Sequence, residues 1–268
     1  MISVAGNDDT ALLCAIAREA GALAMTFFRN QPKSWPKGET SIVSEADFEV
    51  DRLLAARLLA ARPDYGWLSE ETADNNERLT RKRVFVVDPI DGTRGFLNGS
   101  NEWTISLAIV EEGRPIAAAL FAPALGTMFE ATAGGGANRD GLPLRVSERT
   151  EVEGANLAGS NRLVRDVFAA SSIQLEYHGF VPSLAYRIAL VAAGVVDVAI
   201  ARRGAYDWDI AAADLLVHEA GGRLADLDGR PPRYNELERR HPVLLAAKPE
   251  LGDAMAELVA RADAVGPN

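Results

Sequence analysis

One cysteine, Cys14, and three histidines are all that this 268-residue chain offers of thiol or imidazole chemistry. A single cysteine excludes an internal disulfide framework and fits a reducing compartment, so a cytoplasmic location is expected. A zinc site or a cysteine nucleophile has little material to draw on. Positive charge is also short: 28 Lys and Arg stand against 38 Asp and Glu, a formal net charge of -10. That balance argues against nucleic-acid polymers and anionic membranes as partners, since both attract basic patches. Long uncharged apolar runs are missing too. The apolar stretch from Ala11 to Phe28 contains Arg18 and Glu19 and reads as an ordinary helix, not a membrane span. The first nine residues lack the basic start and apolar core of a signal peptide, so no leader is expected. The glycine-rich segment Ala133 to Ala137 lacks the strand, lysine and helix of a phosphate loop and reads as a plain turn.

What the chain does have is acid in particular places. Asp88-Pro89-Ile90-Asp91-Gly92-Thr93 directly follows Val84-Phe85-Val86-Val87, a run that reads as a buried strand. Pro89 fixes its own φ and removes a donor, so the strand is expected to stop there. The two carboxylates and the Ile90 carbonyl can then converge on one point instead of alternating across a pleat. Gly92 permits close backbone approach. A helix opening at Thr93 would aim unpaired N–H groups at an anion, so Gly92 and Thr93 are candidate phosphate ligands. The plain alternative is a turn whose aspartates cap a helix.

Two more acidic clusters have similar settings. Glu70-Glu71 follows Trp67-Leu68-Ser69, and Asp207-Trp208-Asp209 precedes an alanine-rich helix, Ile210 to Ala220, ended by Gly221-Gly222. Asp209 at a helix start could equally be a cap. Glu70, Asp88, Asp91 and Asp209 with the Ile90 carbonyl form an all-oxygen set, the composition that suits Mg2+.

The length exceeds the usual single core, so one large or two intimately packed subdomains are expected. Helices are read at about 10–29 and 44–61. The apolar stretches Trp103 to Val110 and Pro115 to Ala122, split by Glu-Glu-Gly, read as a hairpin, followed by short strands near 128–132 and 144–146. From Ala155 strands and helices alternate: strands near 156–159, 175–180, 195–201, 222–225 and 243–247, and helices from about 162, at 182–194 and at 250–264. The change of pattern divides the chain into residues 1–150, an α+β metal-binding part, and 151–268, an α/β substrate-side part.

Ser69-Glu70-Glu71, the stretch from Asp88 to Thr93, and Trp208-Asp209-Ile210-Ala211-Ala212 with Glu219-Ala220-Gly221-Gly222 resemble, in order and spacing, the motifs of the inositol monophosphatase superfamily. So does Ile42-Val43-Ser44-Glu45-Ala46-Asp47, and the resemblance covers nearly the whole chain. It implies a layered αβαβα sandwich of the inositol monophosphatase and fructose-1,6-bisphosphatase type and a Mg2+-dependent, Li+-sensitive phosphomonoesterase with two or three Mg2+ per site, acting on a small phosphorylated metabolite.

By the same resemblance, Glu70, Asp88 and the Ile90 carbonyl bind one metal, and Asp88, Asp91 and Asp209 surround a second. Glu70 helps to hold a third. Thr93, through its hydroxyl, and Asp47, through a hydrogen bond, orient and deprotonate a metal-bound water. From the residues alone, Asp47 is also the first-turn acid of a helix opened by Ser44, a near capping box. Lys37, or Lys33 in its place, corresponds to a loop lysine that reaches the site, and Ala185 and Asp91 to substrate contacts. A homodimer is common among such proteins.

Substrate choice within the superfamily turns on Arg202, followed by Arg203 and Gly204. Inositol monophosphatases place a hydroxyl-accepting glutamate there. Arginine cannot accept a hydrogen bond but grips a second phosphate bidentately. Bacterial 3'(2'),5'-bisphosphate nucleotidases resemble this chain in that arginine, in Ser-Glu-Glu and in Asn101-Glu102-Trp103-Thr104. The expected activity is therefore hydrolysis of 3'-phosphoadenosine 5'-phosphate to AMP and phosphate. If the arginines are only solvated strand-end charges, inositol 1-phosphate or histidinol phosphate is the alternative. A reading from another class is a phosphate-sensing protein without catalysis, for which the water-activating pair would have no use.

Overall fold

The computed structural model describes residues 4–38, 41–169 and 173–265. In chain order, α1 (Val4–Phe27) leads to an antiparallel pair, β1 (Ser34–Lys37) and β2 (Ser41–Ser44), and then to α2 (Glu45–Ala61). A first sheet follows: β3 (Gly66–Ser69), β4 (Arg83–Asp91), β5 (Thr104–Glu111), β6 (Arg114–Ala122), β7 (Thr127–Thr132), β8 (Gly136–Arg139) and β9 (Leu142–Pro143). The short helix α3 (Thr93–Leu97) sits between β4 and β5. The seven strands pair in chain order, β3 parallel to β4 and the rest antiparallel. The second half contains β10 (Asn156–Ala158), α4 (Asn161–Ala169), β11 (Glu176–Gly179), α5 (Leu184–Ala192), β12 (Val198–Ala201), α6 (Asp207–Glu219), β13 (Arg223–Asp226), β14 (Leu244–Ala247) and α7 (Pro249–Val265). Its sheet runs β11-β10-β12-β14-β13.

The side-chain period of two builds the layers. Along β4, Phe85 and Val87 pack with Leu13, Ala17, Leu54 and Leu58 of α1 and α2, whereas Val84 and Val86 pack with Ile188 of α5 and Ile210 of α6. The second sheet repeats the division. Ala199, Leu244 and Ala246 face α5 and α6, while Val198, Ile200 and Leu245 face Leu163 of α4 and Leu251 and Met255 of α7. Helices, sheet, helices, sheet and helices thus stack in five layers, the αβαβα order. Both faces of β4 are covered, which is why it reads as an unbroken apolar run.

The segment Asp8–Phe27 of α1 is long and apolar enough to cross a membrane by length and composition. Here Leu13, Ala17, Ala20 and Ala24 are buried against α2 and the first sheet.

Three local expectations are corrected. The strand does not stop at Pro89: β4 continues to Asp91, with Asp88 opposite Ser106, Asp91 opposite Thr104 and a register shift between. The missing proline donor falls inside that bulge, where no ladder bond is required. Leu144 and Val146 are buried without forming a strand; their amides bond to Ala137 O and Ala220 O. Helix α6 begins at Asp207, not Ile210, and this puts Asp209 inside its first turn.

Candidate metal and phosphate site

The bulge in β4 decides where the acids point. Asp88 Oδ1 accepts the Ile90 N–H at 3.0 Å, which closes a tight turn around Pro89. Ile90 O lies 3.0 Å from the Thr93 hydroxyl. Gly92 then takes φ +93°, and a Cβ there would lie 3.0 Å from Ser183 N. Both conformation and space call for glycine at this position. Glu70 arrives from the adjacent strand end, its N–H bonded to Val87 O. Asp209 arrives from another layer, on the first turn of α6, with Oδ2 accepting the Tyr206 N–H at 2.7 Å.

Carboxylate oxygens of Glu70, Asp88 and Asp209 lie within 4.8 Å of one another. Two unit charges at that separation repel by about 3 kcal/mol at an effective dielectric constant near 20. Desolvation, and after it the neighbouring carboxylates, hold Asp88 and Asp209 well above the usual acid range. Burial also pushes Asp91 up to about 6, even though it accepts Ser183 Oγ at 2.5 Å, Ala185 N at 2.7 Å and Leu184 N at 3.2 Å. The donor set is therefore hard oxygen, crowded and short of positive charge, and it fits a divalent cation with oxygen preference. Glu70, Asp88 and Asp209 would hold it, with Asp91 and the Ile90 carbonyl at the same cleft. That cleft has a volume of about 240 Å3 and is lined by Ser41, Ile42, Glu70, Asp88, Ile90, Asp91, Gly92, Thr93, Arg94 and Asp209.

Beside the cluster, the Thr93 hydroxyl is 3.0 Å from Asp47 Oδ1 as well as from Ile90 O. Asp47 Oδ2 accepts the N–H of Ser44 at 2.8 Å and its hydroxyl at 2.6 Å, so the same carboxylate caps α2 and touches Thr93. Burial pushes Asp47 up to about 6. Lys37, not Lys33, reaches the acids: its ammonium donates to Glu70 O at 3.0 Å, Glu71 Oε2 at 2.9 Å and Glu70 Oε1 at 3.3 Å. Lys37 belongs to β1, a strand and not a loop.

Ala185 is buried, outside the cleft, and its backbone N–H holds Asp91. Arg202 and Arg203 lie in the turn after β12 and are exposed. Arg203 pairs with Asp263 of α7 at 3.5 Å, and neither arginine lines the cleft. The glycine segment is a turn only over 133–135, with Gly136 and Ala137 already in β8, and it is held by Glu219, whose carboxylate accepts the N–H groups of Gly134 and Gly136.

Four contributors escaped the sequence reading. Arg94 lines the cleft. Glu71 is pushed by burial up to about 7 while it pairs with Lys37. Asp51, buried, accepts Ser69 Oγ at 2.5 Å and Thr72 Oγ1 at 2.7 Å and so steadies the stretch around Glu70. Ser183 joins Asp91 to Thr104. Glu71 was visible beside Glu70, but Ser183 and Asp51 reach the site only through long-range packing that no local spacing signals.

Comparison with known proteins agrees with this geometry. The chain is 30% identical over 234 residues to the 3'(2'),5'-bisphosphate nucleotidase CysQ of Aggregatibacter actinomycetemcomitans, covering 83% of this chain and 86% of that protein. It is 34% identical over 201 residues to the inositol-1-monophosphatase of Mesorhizobium japonicum, covering 72% and 75%. A Thermotoga maritima IMPase superposes with a TM-score of 0.85 at 28% identity, over 95% of this chain and 98% of that one. Residues 7–263 match the inositol monophosphatase family, whose members are phosphatases, and the chain belongs to that family.

Proposed function

We propose that this chain is a Mg2+-dependent phosphomonoesterase, and that its preferred substrate is a 3'(2'),5'-bisphosphate nucleotide such as 3'-phosphoadenosine 5'-phosphate. The observation that carries the first part is the convergence of Glu70, Asp88 and Asp209 within 4.8 Å beside the Thr93–Asp47 pair. When bound there, metal ions neutralise phosphate charge and lower the pKa of water. Asp47, already the acceptor from Thr93, orients that hydroxyl and receives a proton through it. The N–H groups of Gly92 and Thr93 hold phosphate oxygens at the start of α3. Lys37 lies on the Glu70 side of the cluster, where it bonds the Glu70 and Glu71 carboxylates. A phosphate sensor would not need the hydroxyl and carboxylate beside the cations. The reading places the enzyme in the cytoplasm, in keeping with its single cysteine.

The substrate reading rests on Arg202. Its neighbour Arg203 is engaged by Asp263, whereas Arg202 is exposed and in no ion pair among the described residues. Arg202 is thus the one left to meet a second phosphate. Similarity to both a bisphosphate nucleotidase and inositol-1-monophosphatases keeps inositol 1-phosphate as the competing substrate. The test is kcat/KM for the bisphosphate and for inositol 1-phosphate, with MgCl2, with EDTA and with LiCl. Hydrolysis is expected to vanish in EDTA and to fall with Li+. Arg202→Ala should cost roughly 10 to 150-fold on the bisphosphate, from a charge-assisted bond of about 1.5 to 3 kcal/mol, and little on inositol 1-phosphate. Full activity in EDTA sinks the metal reading. A wild type that prefers inositol 1-phosphate promotes the competitor.

A further inference from the structure

Residues 235–241 grip two stretches that carry acids of the metal site. On one side is the loop that follows Glu70. Arg78, whose side chain is fully buried, donates from Nε to Asp74 at 3.1 Å, from Nη1 to Asn235 Oδ1 at 2.7 Å and from Nη2 to Glu236 O at 2.9 Å. Arg239 adds a 3.4 Å ion pair to the same Asp74. On the other side is the start of α6. Asp207, fully buried, accepts the Asn235 N–H on Oδ2 at 2.8 Å and pairs on Oδ1 with His241 Nε2 at 2.8 Å. Backbone bonds complete the grip: Asp207 N to Arg239 O, His241 N to Ala205 O and Gly204 N to His241 O, each between 2.8 and 3.0 Å.

The two gripped stretches belong to different layers. Glu70 is placed next to Asp88 by the parallel pairing of β3 with β4, whereas Asp209 reaches in from α6, whose start is tied to that sheet by a bond from Ser106 Oγ of β5 to Trp208 O at 3.3 Å. Three carboxylates within 4.8 Å repel one another, so the first turn of α6 is pushed away from β4, and the grip on Asp207 opposes that push alongside the core packing of Ile210, Ala213 and Val217 further along the helix. Asn235 is where the tie closes, because its side chain holds Arg78 while its backbone holds Asp207.

We propose that residues 235–241, acting through Arg78 and Asp207, form a strap that fixes the separation of Glu70 and Asp209 and thereby sets cation affinity. None of these residues touches the reacting groups; they are positioning residues. The inference rests on the metal-site reading given above.

The experiment is calorimetric titration of the metal-free protein with MgCl2, paired with thermal melting in EDTA and with turnover against Mg2+ concentration. The proteins are wild type, Asn235→Ala, His241→Asn, Arg78→Lys and, as a control, Arg233→Ala, which removes an exposed pair with Glu236. Loss of a group that orients a ligand costs about 10 to 100-fold in metal affinity. Asn235→Ala and His241→Asn should therefore raise the Mg2+ dissociation constant about tenfold or more, with kcat recovering at saturating Mg2+, while Arg233→Ala binds like wild type. Arg78→Lys should do the same, and if that variant fails to fold the other two carry the test. A wild-type dissociation constant in Asn235→Ala and His241→Asn, with or without a lowered melting temperature, overturns the strap. A wild type that binds no Mg2+ removes the metal-site reading itself and the strap with it.

Discussion

Asp207 and Asp209 stand two residues apart at the start of α6, and their surroundings differ in one respect that decides what each does. Asp207 has a partner on each oxygen, the Asn235 N–H on Oδ2 and His241 Nε2 on Oδ1. Asp209 accepts one N–H, from Tyr206, and otherwise faces Glu70 and Asp88. A buried carboxylate with its partners present is structural; one that confronts other carboxylates is waiting for a cation. The comparison separates scaffold from chemistry within a single helical turn.

The largest effect should come from breaking the Asp209 side. Asp209→Asn, and likewise Asp91→Asn, are expected to lower turnover by on the order of 100-fold or more at saturating Mg2+, since even groups that only orient ligands cost about 10 to 100-fold. Near wild-type kcat in either variant would make that residue a helix cap or a structural acceptor, not part of the cation site.

Asp207→Asn should invert the pattern. Hydrogen bonds to a charged group are worth about 1.5 to 3 kcal/mol, and at roughly 2 to 4 °C per kcal/mol for a chain of about this size the metal-free melting temperature should drop on the order of 3 to 10 °C. Turnover at saturating Mg2+ should stay within about tenfold of wild type. If Asp207→Asn melts like wild type and loses turnover as deeply as Asp209→Asn, the division between the two aspartates fails.

A third measurement follows from the sign of the acid shifts. Asp47 and Asp91 are pushed up to about 6 by burial, and Asp88 and Asp209 are raised further in the same direction. A raised acid stabilises the folded state below the ordinary carboxylate range, and that contribution is lost as pH rises through the folded pKa. In the metal-free protein the cluster therefore weakens the fold progressively from about pH 4, through pH 6 for Asp47 and Asp91 and above it for Asp88 and Asp209. Cations compete with those protons, so the gain in melting temperature on adding MgCl2 should be small at pH 5 and grow toward pH 7.5. A gain that is flat or shrinks over that range contradicts the assignment.

The smallest effect is expected at the strand-end arginines. Arg203, exposed and 3.5 Å from Asp263, is a surface pair of the kind that contributes little, so Arg203→Ala should change kcat/KM by less than about twofold on either substrate. A loss on the bisphosphate as large as that of Arg202→Ala would move the second-phosphate contact to Arg203 or divide it between the two.

The layered fold was legible because its strands carry their own signal. The run Val84 to Val87 is buried on both faces, β5 and β6 are two apolar runs joined by a tight turn, and the second half changes to alternating strands and helices. Strand ends were less legible where a local rule met packing. Pro89 should have ended β4, yet the bulge absorbs its missing donor, and Leu144 and Val146 are buried in the core without joining a ladder.

By itself the sequence determined the kinds of chemistry open to this protein. One cysteine and three histidines left little material for a soft-ligand site, the acids at Glu70, Asp88, Asp91 and Asp209 favoured an oxygen-liganded cation, and Pro89 and Gly92 already constrained how two of those acids would be displayed. Tertiary structure decided which acids face one another and which are neutralised, because burial and partner choice are properties of distant contacts. Ser183 ties Asp91 from 92 residues away, and Arg78 reaches Asn235 across 157. Asp207 was paired off and Asp209 left facing the cluster by the path of residues 235–241, which no spacing in the chain records.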